Sequence, residues 1–177
     1  MDTLIAPSIQ KMLIPNNNFK LVDACRAQIK DGRETLTYLH VKNEGIIEAT
    51  DGRILVQCKL DTGVLPGVYK IIAVNKYSKT MTELTLEAVD TTYPSTDQVI
   101  PKDTEENITI LVNKKEVHAG TIIKLYEFTG SIVSEKYLET MGELNSTWKV
   151  SKTEKNRALM FYSEAYETRI VLMPLAK

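Results

Sequence analysis

The sequence is short of nearly everything that marks an enzyme, a secreted protein or a membrane protein. Two cysteines, Cys25 and Cys58, in 177 residues are too few for a disulfide framework and too sparse for a zinc site, so they read as reduced core residues. The two histidines, His40 and His118, lie in or beside expected strands with no second histidine or cysteine at ligand spacing, which favours structural roles. The eight glycines are scattered, and the 63–67 stretch lacks the lysine and the following helix of a phosphate loop. Long apolar runs are missing as well: the longest, 170–175 with Pro174 allowed, is far below the ~20 residues a membrane helix needs. Asp2, Pro7 and the lack of a small-residue cleavage pattern argue against an export signal in residues 1–14, so a cytoplasmic location is expected. Excess charge of one sign is absent too. With 22 Lys+Arg against 23 Asp+Glu and a net charge of −1, any grip on nucleic acid must come from a local patch.

What remains is an ordinary folded composition, 43% hydrophobic and 25% charged, enough for one compact domain or two small ones. Apolar spacing through Phe19, Val22, Cys25 and Ile29 predicts a helix over 18–31, with Asn16–Asn18 side chains as caps at its start and Gly32 at its end. A second helix is predicted over 133–144, with Val133, Tyr137, Leu138, Met141 and Leu144 as its apolar face. Strands are predicted over 36–41, 46–49, 53–60, 68–74, 82–89, 108–112, 121–128, 147–150, 158–162 and 168–173, with Asp51-Gly52 as one of the turns. The order suggests two similar halves, 1–92 and 107–177, each a helix on antiparallel sheet, joined by a connector over 93–106. Asp51, Glu105 and Glu106 are the residual candidates for acid chemistry. Asp before Gly is ordinary turn chemistry, and acidic pairs in loops are normally solvated.

Three segments carry a resemblance. Ala49-Thr50-Asp51-Gly52-Arg53-Ile54-Leu55 follows a helix and the strand through Tyr38 and Leu39. Tyr93-Pro94-Ser95-Thr96-Asp97-Gln98-Val99-Ile100-Pro101 comes next, and Arg169-Ile170-Val171-Leu172-Met173-Pro174-Leu175-Ala176-Lys177 closes the chain. In this order they resemble the A-T-D-G-x-R-L, F-P-D-Y-x-x-V-I-P and V-x-M-P-M segments of the bacterial sliding DNA clamp, the β subunit of replicative DNA polymerase III. One departure is plain: Arg53 follows Gly52 directly, where the family has a residue between them.

The resemblance implies an α+β protein of the DNA clamp fold, with helices packed on antiparallel sheets in two pseudo-repeated halves, and a non-enzymatic role without metal or cofactor. It implies a pocket for short peptide motifs of polymerases, clamp loaders or repair proteins, falling on Leu39, Thr50, Gly52, Arg53, Leu55, Pro94, Gln98, Val99, Val171 and Met173, with Pro174 and Leu175 at its rim. It also implies non-specific contact with duplex DNA, for which Lys20, Arg26 and Lys30, extended by Arg33, are the available cations. The second helix does not share that character, since Glu135, Glu139 and Glu143 stand against Lys136. A chain this short would have to assemble into a homo-oligomer to surround DNA. The competing expectation is an interaction or decoy module that binds clamp-motif peptides without encircling DNA.

Overall fold

Among the described residues a single antiparallel sheet of ten strands forms the body of the protein, with the helices on one face. The structure is a computed structural model and describes residues 8–115 and 118–175; Ala176 and Lys177 of the closing segment, and residues 1–7 of the first half, lie outside the described residues. The first half runs β1 (Ile9–Pro15), α1 (Asn16–Cys25), β2 (Leu39–Val41), β3 (Ile46–Thr50), β4 (Ile54–Lys59), β5 (Gly67–Lys76) and β6 (Met81–Ala88). The second half runs β7 (Asn107–Val112), α2 (Ala119–Thr129), α3 (Glu135–Met141), β8 (Ser146–Ser151), β9 (Leu159–Ser163) and β10 (Thr168–Leu172).

The strand order, β1-β6-β5-β2-β3-β4-β10-β9-β8-β7, shows how the halves meet. Each half contains a strand, a helical segment and a three-strand meander, and the last strands of the two meanders, β4 and β10, pair with each other at the centre. The β5–β6 hairpin lies between β2 and β1 and lengthens the first half. Strand alternation then sorts side chains between the two faces. Ile54, Val56, Ile170 and Leu172 turn toward the helices and join a core with Leu21, Val22, Leu138, Met141, Trp148 and Phe161. Both thiols, Cys25 and Cys58, are buried in that core and form no disulfide, and Cys58 Sγ accepts from the Thr168 hydroxyl.

Several boundaries differ from the sequence reading. The first helix spans Asn16–Cys25, not 18–31: Arg26 is already extended, and Ile29–Asp31 and Glu34–Thr37 are short 3-10 turns. Ile29, expected on the apolar face, is 86% exposed. The asparagines do not cap the helix; Asn16 Nδ2 donates to Lys79 O, and its Oδ1 accepts from Thr82, tying the helix start to the β5–β6 turn. Residues 121–128, expected as a strand from their β-branched and aromatic content, form α2. The deciding pattern is burial of Leu125 and Thr129, with Ile122 half-buried, at helical spacing. Gly130 then ends α2 at φ 71°, its N–H donating to Tyr126 O at 2.7 Å. Helix α3 is shorter than 133–144 and tightens into a 3-10 turn over Gly142–Leu144. Strand β1 has no counterpart among the strands expected from sequence, and the 36–41 strand is regular only over Leu39–Val41. Among the described residues no helix is long and apolar enough to cross a membrane.

Because Ile170 sits fully buried on β10, opposite Val56 on β4, Ile170→Ala removes core volume from both halves at once. The expected cost is about 2–5 kcal/mol, read by urea unfolding as a lowered midpoint of one shared transition.

Candidate functional site

The face of the sheet turned away from the helices carries a small apolar cavity at the β4–β10 seam. Leu55 pairs with Thr50 on one side and with Val171 on the other, and Val171 pairs in turn with Met160, so these side chains form one cross-strand row on the outer face. Thr50, Leu55 and Val171 floor a cavity of about 230 Å³, with Gly52, Arg53 and Ile54 from the turn, Met173 from the chain end, and Pro94 and Val99 from the loop. The same ladder places Met173, whose N–H donates to Arg53 O at 2.9 Å.

The turn is built by its own side chains. Asp51 Oδ1 accepts from the N–H groups of Arg53 and Ile54 at 2.8 and 3.0 Å, and Thr50 Oγ1 accepts from Gly52 N–H while donating to Ile54 O. Gly52 adopts φ 89°, a conformation that L side chains rarely take. Tyr137 of α3 donates to Asp51 Oδ2 at 3.4 Å. Asp51 therefore serves the turn, and its carboxylate is spoken for.

The remaining wall is the segment through Tyr93 and Val99, laid across the outer face of β2–β4. It is fastened through Glu48, a fully buried carboxylate on β3. Thr96 Oγ1 and Gln57 Nε2 both donate to Glu48 Oε2 at 2.8 Å, and His40 Nδ1 lies 2.6 Å from Oε1. Tyr93 stacks on the His40 ring with centroids 4.7 Å apart. Lys42 reaches Asp97 at 2.9 Å and Glu48 at 3.9 Å. Burial pushes the Glu48 carboxyl up, but the hydrogen bonds from His40, Gln57 and Thr96 and the charge of Lys42 outweigh it and hold the group below its ordinary range. Burial, then the Glu48 charge, pushes the Tyr93 hydroxyl up.

Thr50, Gly52, Arg53, Leu55, Pro94, Val99, Val171 and Met173 are thus brought together. Four other residues named from sequence are not in this cavity. Leu39 is fully buried on the core side, because alternation along β2 turns it inward with Val41. Gln98 lines an adjoining open groove that shares Val99 and Met173 and runs along Lys102, Lys152 and Arg157. Pro174 and Leu175 lie past the cavity, Leu175 N–H donating to Ile132 O. Leu36, Ile54, Ser95 and Thr96 line the cavity and were not anticipated. The 3-10 turn at Glu34–Thr37 delivers Leu36, and no residue in its sequence signals that geometry.

No protein-family model and no curated protein sequence matches the chain; the solved structures do. The β subunit of DNA polymerase from Streptococcus pyogenes superposes with a TM-score of 0.57 at 11% identity, over 100% of this chain and 68% of that one. The C. crescentus β sliding clamp gives 0.59 at 14% identity over the same shares. The DNA polymerase sliding clamp of Bacillus subtilis gives 0.56 at 14% identity, over 99% of this chain and 67% of that one. The protein has the sliding-clamp fold.

On this clamp fold the four cations named from sequence do not form one stripe. Lys20 is exposed on α1. Arg26 lies past the end of the helix, where its guanidinium donates to Thr37 O and pairs with Asp23. Lys30 sits in the following 3-10 turn. Arg33 lies elsewhere, its Nη1 only 2.7 Å from where a Cβ on Gly52 would stand. Helix α3 exposes Glu135 and Glu139 beside Lys136. Among the described residues no group of three or more His, Cys, Asp or Glu side chains is placed to hold a metal.

The fastening gives a pH prediction. Because Glu48 is held below its ordinary range with His40, Lys42, Tyr93 and Asp97 around it, its stabilising contribution is complete above that range and is lost as pH falls through the folded-state value. Thermal melts of Glu48→Gln should show a loss of roughly 1–3 kcal/mol at neutral pH, and a shallower fall in stability than the native protein on acidification.

Proposed function

We propose that the protein is a non-enzymatic, sliding-clamp-like replication accessory whose cavity receives a short apolar motif from a polymerase, clamp loader or repair protein. The observation that carries this reading is the convergence of three separated segments, at Thr50–Leu55, Pro94–Val99 and Val171–Met173, on one apolar cavity. A peptide suits that cavity on physical grounds. It is small and apolar, Met173 at 45% exposure offers a deformable wall, and the adjoining groove past Val99 and Met173 gives an extended chain a path out.

The two halves, 1–92 and 107–177, joined through 93–106, act as one clamp-domain equivalent in this reading. Copies would join edge to edge into a homo-oligomer, since β1 and β7 end the sheet. Duplex DNA would be held without sequence preference on the helical face, with Lys20 and Lys30 the cations left for it, in a cytoplasmic setting. A second reading is favoured by a specific observation: Arg26 is engaged by Asp23 and Thr37, Arg33 lies on the Gly52 turn, and α3 is acidic. On that reading the protein binds clamp-motif peptides and does not surround DNA.

Fluorescence polarisation with a labelled, short apolar clamp-motif peptide tests the docking. Saturable binding is expected, weakened about ten-fold or more by Val99→Asp or by Met173→Ala. Both positions are about half exposed, so melting temperature should hardly move. Absence of saturable binding removes both readings. Retention on circular but not linearised duplex, reduced by raised salt and by Lys20→Glu, is the outcome expected of the accessory; equal loss of both DNA forms at low salt leaves the peptide-binding module.

A further inference from the structure

We propose that the chain pairs with a second copy of itself through β1, as a closed two-fold dimer, while Lys124 seals the opposite edge at β7. The inference rests on the edge-to-edge reading above and names the edge. The two ends of the sheet, β1 and β7, are not equivalent. On β7, Lys152 N–H donates to Glu106 O at 2.9 Å, which turns the peptide groups of Glu106, Ile108 and Ile110 toward β8 and those of Asn107, Thr109 and Leu111 out of the sheet. The outward Thr109 carbonyl is taken: Lys124 Nζ of α2 donates to it at 3.0 Å. A strand arriving here has to displace that ammonium or trap it between two backbones, and a lysine on a free edge guards against such pairing.

Strand β1 carries no such guard. Ala88 N–H donates to Ser8 O at 2.8 Å, so Gln10, Met12 and Ile14 face β6, and the N–H and C=O groups of Ile9, Lys11 and Leu13 face outward. Among the described residues no hydrogen bond is made to those groups. The next outward position is Pro15, which has no N–H to leave unpaired. The side chains suit a second β1 as well as the backbone does. An antiparallel pair centred on Lys11 sets Ile9 of each copy against Leu13 of the other on the outer face, covering side chains that are 45% and 37% exposed in the single chain. Lys11 meets its own equivalent on the axis, and Glu83 on β6, 2.7 Å from its Nζ, offsets that repulsion. The edge is self-complementary, as a two-fold interface requires. Such a dimer leaves both β7 edges free and closes no ring, which accords with the module that does not surround DNA.

Sedimentation equilibrium of the whole protein over a wide concentration range should give a mass that doubles and goes no further. Cross-linking reads the geometry, because hydrogen-bonded antiparallel partners lie about 5.5 Å apart at Cα, within disulfide reach, and Cys25 and Cys58 are buried. In an equal mixture of Lys11→Cys and Thr109→Cys chains, copper-catalysed air oxidation should join Lys11→Cys chains to each other and give no mixed dimer. Leu13→Glu should weaken dimerisation about ten-fold, and Lys124→Ala should unseal β7 and add species larger than the dimer. Thermal melts establish that the variants fold; Lys11, Leu13, Thr109 and Lys124 are all exposed. Mixed dimers, or native species beyond the dimer, overturn the choice of β1 while edge-to-edge assembly stands. A Lys124→Ala chain that stops at the dimer overturns the seal. A native protein that stays monomeric at the highest concentration overturns edge-to-edge assembly, and this inference with it.

Discussion

The antiparallel ladder between β4 and β10 is the contact on which the rest of the molecule depends. It joins residues more than a hundred positions apart, pairing Thr168 through Leu172 with Cys58 through Ile54. Side chains alternate along both strands, so one register satisfies two demands together. Val56, Ile170, Ile54 and Leu172 enter the helical core, while Leu55 and Val171 meet on the outer face as the cavity floor. A slip of one residue would exchange the two sets, burying the floor and exposing the core. The core therefore fixes the register, and the register builds the cavity.

A sheet face alone makes only a floor, and the third wall comes from the loop through Tyr93 and Val99. The segment from Tyr93 stays in place because a buried carboxylate, unusual in a strand, finds a full set of partners beneath it. Glu48 is costly to bury alone and stabilising only when His40, Gln57 and Thr96 all reach it. That arrangement couples the polar order under the loop to the apolar surface the loop presents, since Thr96 takes part in both.

Much of this was legible in the sequence, and the failures are physical ones. Turn chemistry at Asp51-Gly52, the alternating strands around it and the apolar closing strand are local signals, and residues they carry line one cavity. Leu39 was misplaced although its own alternation with Val41 along β2 points it into the core. Helix α2 was read as a strand because its apolar residues occupy both faces: Ile123 and Tyr126 are exposed while Leu125 is buried, which blurs the helical period. The cationic stripe failed because it assumed a helix through Asp31. Once α1 stops at Cys25, Lys30 and Arg33 are no longer in phase with Lys20, and only the folded chain shows Arg33 crossing to the Gly52 turn. Glu48 carries no sequence signal at all, since three of its partners, Gln57, Thr96 and Lys42, come from β4, the loop and the position just past β2.

The clamp fold places helices on one face and the cavity on the other, so partner docking and DNA contact would occupy opposite sides of one sheet. The most direct measurement of the central claim is a methyl-resolved NMR titration of the whole protein with the apolar peptide. Perturbation centred on Leu55, Val99, Val171 and Met173, with the β7 and α2 methyls of Leu111 and Ile123 undisturbed, is the predicted result. Perturbation centred on those distant methyls, with the seam silent, would contradict it.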